Sequence, residues 1–234
     1  MVEYQINMGK TFFTGDTHFS HANIIVYSRR PQFNADEVQF DAERNRESWK
    51  DRYVGRQRAK EMDSMLEANW NSKVTSNDDV IHLGDIHFGR TDKLIQLLRR
   101  LNFKNLYIIW GNHDTSMKDF KTIIHFYPDL KDRIHFLGNM EEISIEGQKI
   151  VLCHYAMRVW NKAHRGAWHL YGHSHGSLEG EEWGKSFDVG VDANNYFPIS
   201  FEEVRERMNK RTFKQVDHHS GKVSEEMSEF TMRE

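Results

Sequence analysis

The stretch NLYIIWGNHD, Asn105 to Asp114, is an apolar run that breaks abruptly into Gly-Asn-His-Asp. A short apolar run bounded by turn formers reads as a buried strand, and this one delivers three polar side chains to its C-terminal end. The pattern recurs in TFFTGDTH (Thr11 to His18), DVIHLGD (Asp79 to Asp85), KIVLCH (Lys149 to His154), AWHLYGHSH (Ala167 to His175) and SFDVGVD (Ser186 to Asp192). Between the early strands lies TDKLIQLLRRLN, with apolar residues at Leu94, Ile95, Leu97, Leu98 and Leu101 behind a Thr/Asp start; this predicts an amphipathic helix with its N-cap there. Strand, helix, strand in that order signals α/β architecture. Farther on, RIHFLGNMEEISIEGQKIVLCH (Arg133 to His154) packs three strand candidates around Gly138 and EGQ and reads as antiparallel hairpins. A mixed sheet, or two facing sheets, is expected.

The 234 residues, 38% of them hydrophobic, suffice for one sizeable core, so residues 1–234 are read as a single domain. Residues 34–72, charged and rich in helix formers, read as a helical insertion of two helices broken near Gly55. A polar C-terminal tail begins at about Thr212; His218 and His219 in it read as solvated. The formal net charge of −3 gives no overall basic footprint for nucleic acid, although a local patch is invisible in that sum. Cys153 is the one cysteine and has no intrachain partner, which suits a reducing, cytoplasmic setting. No apolar run approaches the roughly 18 residues that span a bilayer, and no membrane partner is expected.

The strand ends together present Asp16, His18, Asp85, Asn112, His113, Asp114, His154, His173 and His175. In open α/β sheets ligand sites lie outside the carboxyl ends of the strands, so these groups should converge. Oxygen and imidazole donors without thiolate point to Mn, Fe, Zn or Ni. Seven or more candidate ligands overfill one ion; two ions sharing a carboxylate would use them all. His173 and His175, two apart on an extended chain, point to one face and can serve one ion each. Gly172 and Gly176 leave the backbone there free to turn sharply.

Five blocks in order, GDTH (Gly15 to His18), LGD (Leu83 to Asp85), GNHD (Gly111 to Asp114), CH (Cys153, His154) and GHSH (Gly172 to His175), resemble the calcineurin-like metallophosphoesterase superfamily, and the wider strings look like its small bacterial and phage members. The resemblance implies a four-layer α/β/β/α sandwich of two mixed sheets flanked by helices. It implies that Asp16, His18 and His175 bind a first divalent metal, manganese by preference, that Asn112, His154 and His173 bind a second, and that Asp85 bridges them. His113 would protonate the leaving oxygen, with Asp114 holding its ring by a hydrogen bond. The activity implied is hydrolysis of phosphate mono- or diesters, nucleotide and cyclic-nucleotide types among them, by a hydroxide made between the two ions.

Beside these blocks, His21 follows the first by three residues and is a candidate substrate contact. Arg158 and His164, between His154 and His173, are candidate phosphate clamps, since guanidinium pairs well with phosphate oxygens. A nuclease and a non-catalytic binding scaffold are the rival readings. The acidic balance disfavours the first, and the intact set of motifs the second. The oligomeric state is left open.

Overall fold

The structure is a computed structural model that describes residues 10–178, 180 and 184–212. Its strands are β1 (Thr11–Thr14), β2 (Val38–Asp41), β3 (Arg46–Trp49), β4 (Asp79–His82), β5 (Asn105–Ile109), β6 (Ile134–Gly138), β7 (Met140–Ile145), β8 (Gln148–Cys153), β9 (Trp168–Tyr171), β10 (Ser186–Asp188) and β11 (Ile199–Ser200). The helices are α1 (Ala22–Tyr27), α2 (Arg52–Lys73), α3 (Thr91–Leu98), α4 (Thr115–Ile123) and α5 (Phe201–Asn209). One sheet runs β11-β1-β4-β5-β6 and a second β10-β9-β8-β7. Both are mixed, with β11 antiparallel to β1 and β7 antiparallel to β8.

Alternation explains why the first sheet is covered twice. Neighbouring residues on a strand point to opposite faces; Phe12, Val80, Leu106 and Ile108 pack under α1 to α4, while Phe13, Ile81 and Ile109 meet the second sheet's Ile150, Leu152, Trp168 and Leu170. Each fully buried Phe or Ile contributes about 1.5–3 kcal/mol. The expected α/β/β/α sandwich is therefore present, with a thin outer layer. The far side of the second sheet is covered by the segment from Tyr155 to Ala167, where Trp160, Ala163 and Ala167 pack on Val151.

Four details differ from the sequence reading. The 34–72 region is not two helices: Val38–Trp49 form an antiparallel β2–β3 hairpin, and α2 runs unbroken through Gly55. Gly55 is there because the Trp49 indole lies 2.7 Å from where its Cβ would stand, so the glycine seats the hairpin on the helix. Buried Gly55, Ala59, Met62, Leu66 and Trp70 mark the inward stripe at helical spacing. Second, β6 is no hairpin partner of β7, since it runs parallel to β5 in the first sheet. Third, the N-cap of α3 is Arg90, with Thr91 already inside the helix. Fourth, residues 201–209, for which the sequence reading assigned no element, form α5, opened by a Ser200/Glu203 capping box. The tail from Phe213, with His218 and His219, lies outside the described residues. Among the described residues no helix is long and apolar enough to cross a membrane.

Candidate metal centre and its cleft

Strands β1, β4 and β5 are parallel neighbours in one sheet, and β8 and β9 are parallel neighbours in the other. Their C-terminal ends therefore release all five motif loops at one edge of the sandwich. Five candidate ligands sit there in the left-handed backbone region: Asp16 (φ 52°), His18 (48°), Asp85 (58°), His173 (66°) and His175 (48°). Such conformations cost of order 1–3 kcal/mol each for residues with a Cβ and gather at functional sites. Cross-loop bonds hold them, including Asp16 N–H to Gly84 O at 3.0 Å and His18 N–H to Asp85 O at 2.9 Å. Two motif glycines matter for close approach: a Cβ on Gly111 would overlap the Asp85 carboxylate, and one on Gly172 the Asp16 carboxylate. Gly172 is thus space for Asp16, while Gly176, at φ 77°, is the residue that turns the chain.

The donor atoms meet as a metal cage requires. Asp16 Oδ1 and His18 Nε2 are buried, lack any hydrogen-bond partner and lie 4.0 Å apart. Orphaned buried polar atoms are costly unless something occupies them. Asp85 Oδ2 stands 3.5 Å from His18 Nε2 and 3.6 Å from His154 Nε2, between the two halves of the expected set. The His154 ring donates from Nδ1 to Leu83 O at 2.7 Å, which leaves a lone pair on Nε2 facing Asn112 Oδ1 at 3.0 Å. Two acceptors so placed repel unless a cation is near. Two triads have donor atoms within 4.8 Å of one another, Asp16/His18/His175 and Asp16/Asp85/His154. The His173 ring lies 5.1 Å from that of His154, and its backbone N–H donates to Asp16 Oδ2 at 2.7 Å.

Electrostatics agree. Burial, with Asp188 and Asp85 adding like charge, pushes the Asp16 carboxyl well above its usual range, and burial, with Arg30 next, pushes His18 well below its own. A carboxylate that needs a counter-cation beside a neutral imidazole is a ligand set that fits a divalent ion.

The sequence reading missed the supports. His175 Nδ1 donates to Asp192 Oδ2 at 2.6 Å, and Arg30, fully buried, donates to both Asp192 oxygens at 2.9 and 2.8 Å and to the carbonyls of Asp16 and Thr17. Burial opposes ionisation of Asp192, but bonds from His175 and Arg30 outweigh it and hold the carboxyl below its usual range. A carboxylate behind a metal-binding histidine fixes tautomer and ring. Asp188 pins the GHSH loop by accepting from Ser174 Oγ and Gly176 N–H. Asp192 closes one of the quoted strand ends, whereas Arg30 carries no local signal.

Other expectations change place. Asp114 does not hold the His113 ring. Its carboxylate accepts from the backbone N–H of Asp85, Ile86 and Gly111 at 2.9, 2.9 and 2.7 Å, bracing the LGD loop against the GNHD loop. We expect Asp114→Ala to strand three buried N–H groups at about 1–3 kcal/mol each, lowering stability by at least about 3 kcal/mol in a urea melt. Arg158 and His164 are absent from the described residues lining the cleft; Trp160, between them in sequence, packs on Val151 and donates to Ala167 O.

His21 does reach the cleft. Its Nδ1 is 3.2 Å from His18 Nδ1, and its ring stacks on Phe88 at 4.2 Å. Burial, with His113 next, lowers it to about 4, so it is a neutral ring and not a cationic clamp. His113 lines the same cleft of about 650 Å³, exposed, with its ring 5.8 Å from that of His18 and its backbone N–H on Asp85 Oδ1 at 2.7 Å.

Comparison with known proteins adds relatives to this geometry. The calcineurin-like phosphoesterase superfamily domain matches residues 63–187. The uncharacterized protein MJ1445 of Methanocaldococcus jannaschii is 27% identical over 212 residues, covering 88% of this chain and 94% of that protein. A crystal structure of the protein of unknown function AQ665 from Aquifex aeolicus superposes with a TM-score of 0.56 at 20% identity, over 85% of this chain and 98% of that one, a likeness of fold.

Proposed function

Because the chain belongs to the calcineurin-like phosphoesterase superfamily, we propose that it is a two-metal phosphoesterase that hydrolyses phosphate mono- or diesters. The observation that carries this reading is the buried, partnerless pair Asp16 Oδ1 and His18 Nε2 beside an Asp85 carboxylate set between His18 and His154. Asp16, His18 and His175 would hold one divalent ion and Asn112, His154 and His173 the other, with Asp85 common to both and manganese the first choice. Such a pair supplies a nucleophile at neutral pH and offsets phosphoryl charge.

The remaining work falls to the chain. His113, exposed at the cleft, gives a proton to the departing oxygen, the task worth typically 10²–10⁴ in rate. Its position is set by its own backbone N–H on Asp85 and by the loop that Asp114 braces, so the acid and the ligand cage share one support. The Asp192–His175 bond fixes the imidazole, and Arg30 keeps that carboxylate ionised. The test is hydrolysis of a chromogenic phosphomonoester and diester by EDTA-treated protein reloaded with Mn²⁺, Ni²⁺ or Zn²⁺. Turnover of either ester is expected with at least one metal, and inertness with all three overturns the proposal.

A further inference from the structure

The β2–β3 hairpin brings to the cleft something that net charge concealed. On β3, Arg46 and Ser48 share one face and pair with Asp41 and Gln39 on β2, as the period of two requires. This face walls a second groove of about 530 Å³, floored by the start of α2 and continuous with the metal cleft through shared Asn23, Tyr27 and Arg46. Five cationic side chains line it, Arg44, Arg46, Lys50, Arg52 and Arg56, against the single carboxylate of Asp41. Arg44 pairs with Asp41 at 3.7 Å and Lys50 bonds a backbone carbonyl. Among the described residues Arg46, Arg52 and Arg56 have no carboxylate partner, and Arg46 rests only on the Tyr27 ring, 5.6 Å from its centroid. In the metal cleft itself, Arg46 is the sole lysine or arginine among the described lining residues.

Two flanking rings complete the surface. Tyr27 is 43% exposed where the groove meets the cleft, and Phe88 is 44% exposed on the cleft wall, edge-on to His113 at 5.7 Å. Large aromatics exposed beside unpaired guanidinium groups suit a ligand with both phosphates and planar rings. Each compartment has the size of one small-molecule site, and two in series exceed a simple monoester. A cationic groove that tracks a backbone, with rings for unstacked bases, is how single strands are held.

We propose that the groove binds the flanking phosphates of a single-stranded nucleic acid whose scissile phosphodiester lies at the Asp16–Asp85 cleft. This rests on the phosphoesterase reading above and names its substrate class. The reaction is hydrolysis: a water oxygen bonds to phosphorus as the bond to one nucleoside oxygen breaks, that oxygen takes one proton and the second proton is released. One strand end keeps the phosphate and the other a hydroxyl.

Binding is tested on the full chain by fluorescence anisotropy with labelled twelve-nucleotide DNA and RNA single strands, with EDTA present to prevent cleavage. The three cations without a carboxylate partner predict a log–log salt slope of roughly −2. In Arg52→Glu/Arg56→Glu the slope should shrink by about 1.4 and affinity fall at least about tenfold at 100 mM salt. Both residues are exposed, a thermal melt checks the fold, and Arg46→Glu provides a second, single variant with the same expected direction. DNA and RNA arms rank the two sugars. Equal affinity in the variants, equal affinity for a duplex of the same length, or displacement by tripolyphosphate as readily as by unlabelled strand overturns the proposal. Anisotropy needs no turnover, so the groove can fail while small-ester hydrolysis survives, and the reverse.

Discussion

Asp85→Asn is expected to lose at least about 10³ in turnover while keeping the fold. The substitution is nearly isosteric and leaves an oxygen for the His113 N–H, now 2.7 Å from Asp85 Oδ1. What it removes is the negative Oδ2 that stands 3.5 and 3.6 Å from two imidazole nitrogens. A ligand shared by both ions is lost, and the several kcal/mol of charge stabilisation that the pair supplies goes with it; each 1.36 kcal/mol is tenfold. Stability separates this from damage. Asp85 is one of the like charges that raise Asp16, so in EDTA the variant should melt no lower than wild type. With metal the order reverses: an ion at 100 times its dissociation constant adds about 2.7 kcal/mol, or roughly 5–10 °C for a chain of this size, and the variant should miss much of that gain.

His113→Ala is expected to lower turnover by about 10²–10⁴ on alkyl esters, the usual worth of a general acid, with metal content unchanged. The leaving group tells acid from prop. An alkoxide needs a proton as it departs, whereas p-nitrophenolate leaves without one, so the defect should collapse on the chromogenic ester. A defect of equal size on both substrates would assign His113 a structural task. The Asp114 carboxylate, three hydrogen bonds into the backbone, predicts the complementary behaviour: its loss should act first on stability.

How far the sequence could be read follows from the physics of each segment. Strands buried on both faces, such as Asn105–Ile109, are continuous apolar runs, and their polar termini announced the convergence. The β2–β3 hairpin was illegible as a strand pair because one of its faces is a charged groove wall and its apolar anchor, Trp49, is explained only by Gly55 on α2. The role of Asp114 could not be read locally: the family resemblance implied a contact to the His113 ring, while the turn sends the carboxylate to the LGD loop. Arg158 and His164 were near His154 along the chain, yet neither is among the described residues that line the cleft. Arg30 and Asp192 lie 162 residues apart, and that pairing exists only in the fold.

The central claim, a two-ion phosphoesterase site, is tested most directly by metal titration of the EDTA-treated wild-type chain, with elemental analysis and diester hydrolysis followed on the same samples. We expect uptake to saturate at two ions per chain and activity to rise with occupancy. Saturation at one ion or none, or full occupancy with no hydrolysis, would contradict it.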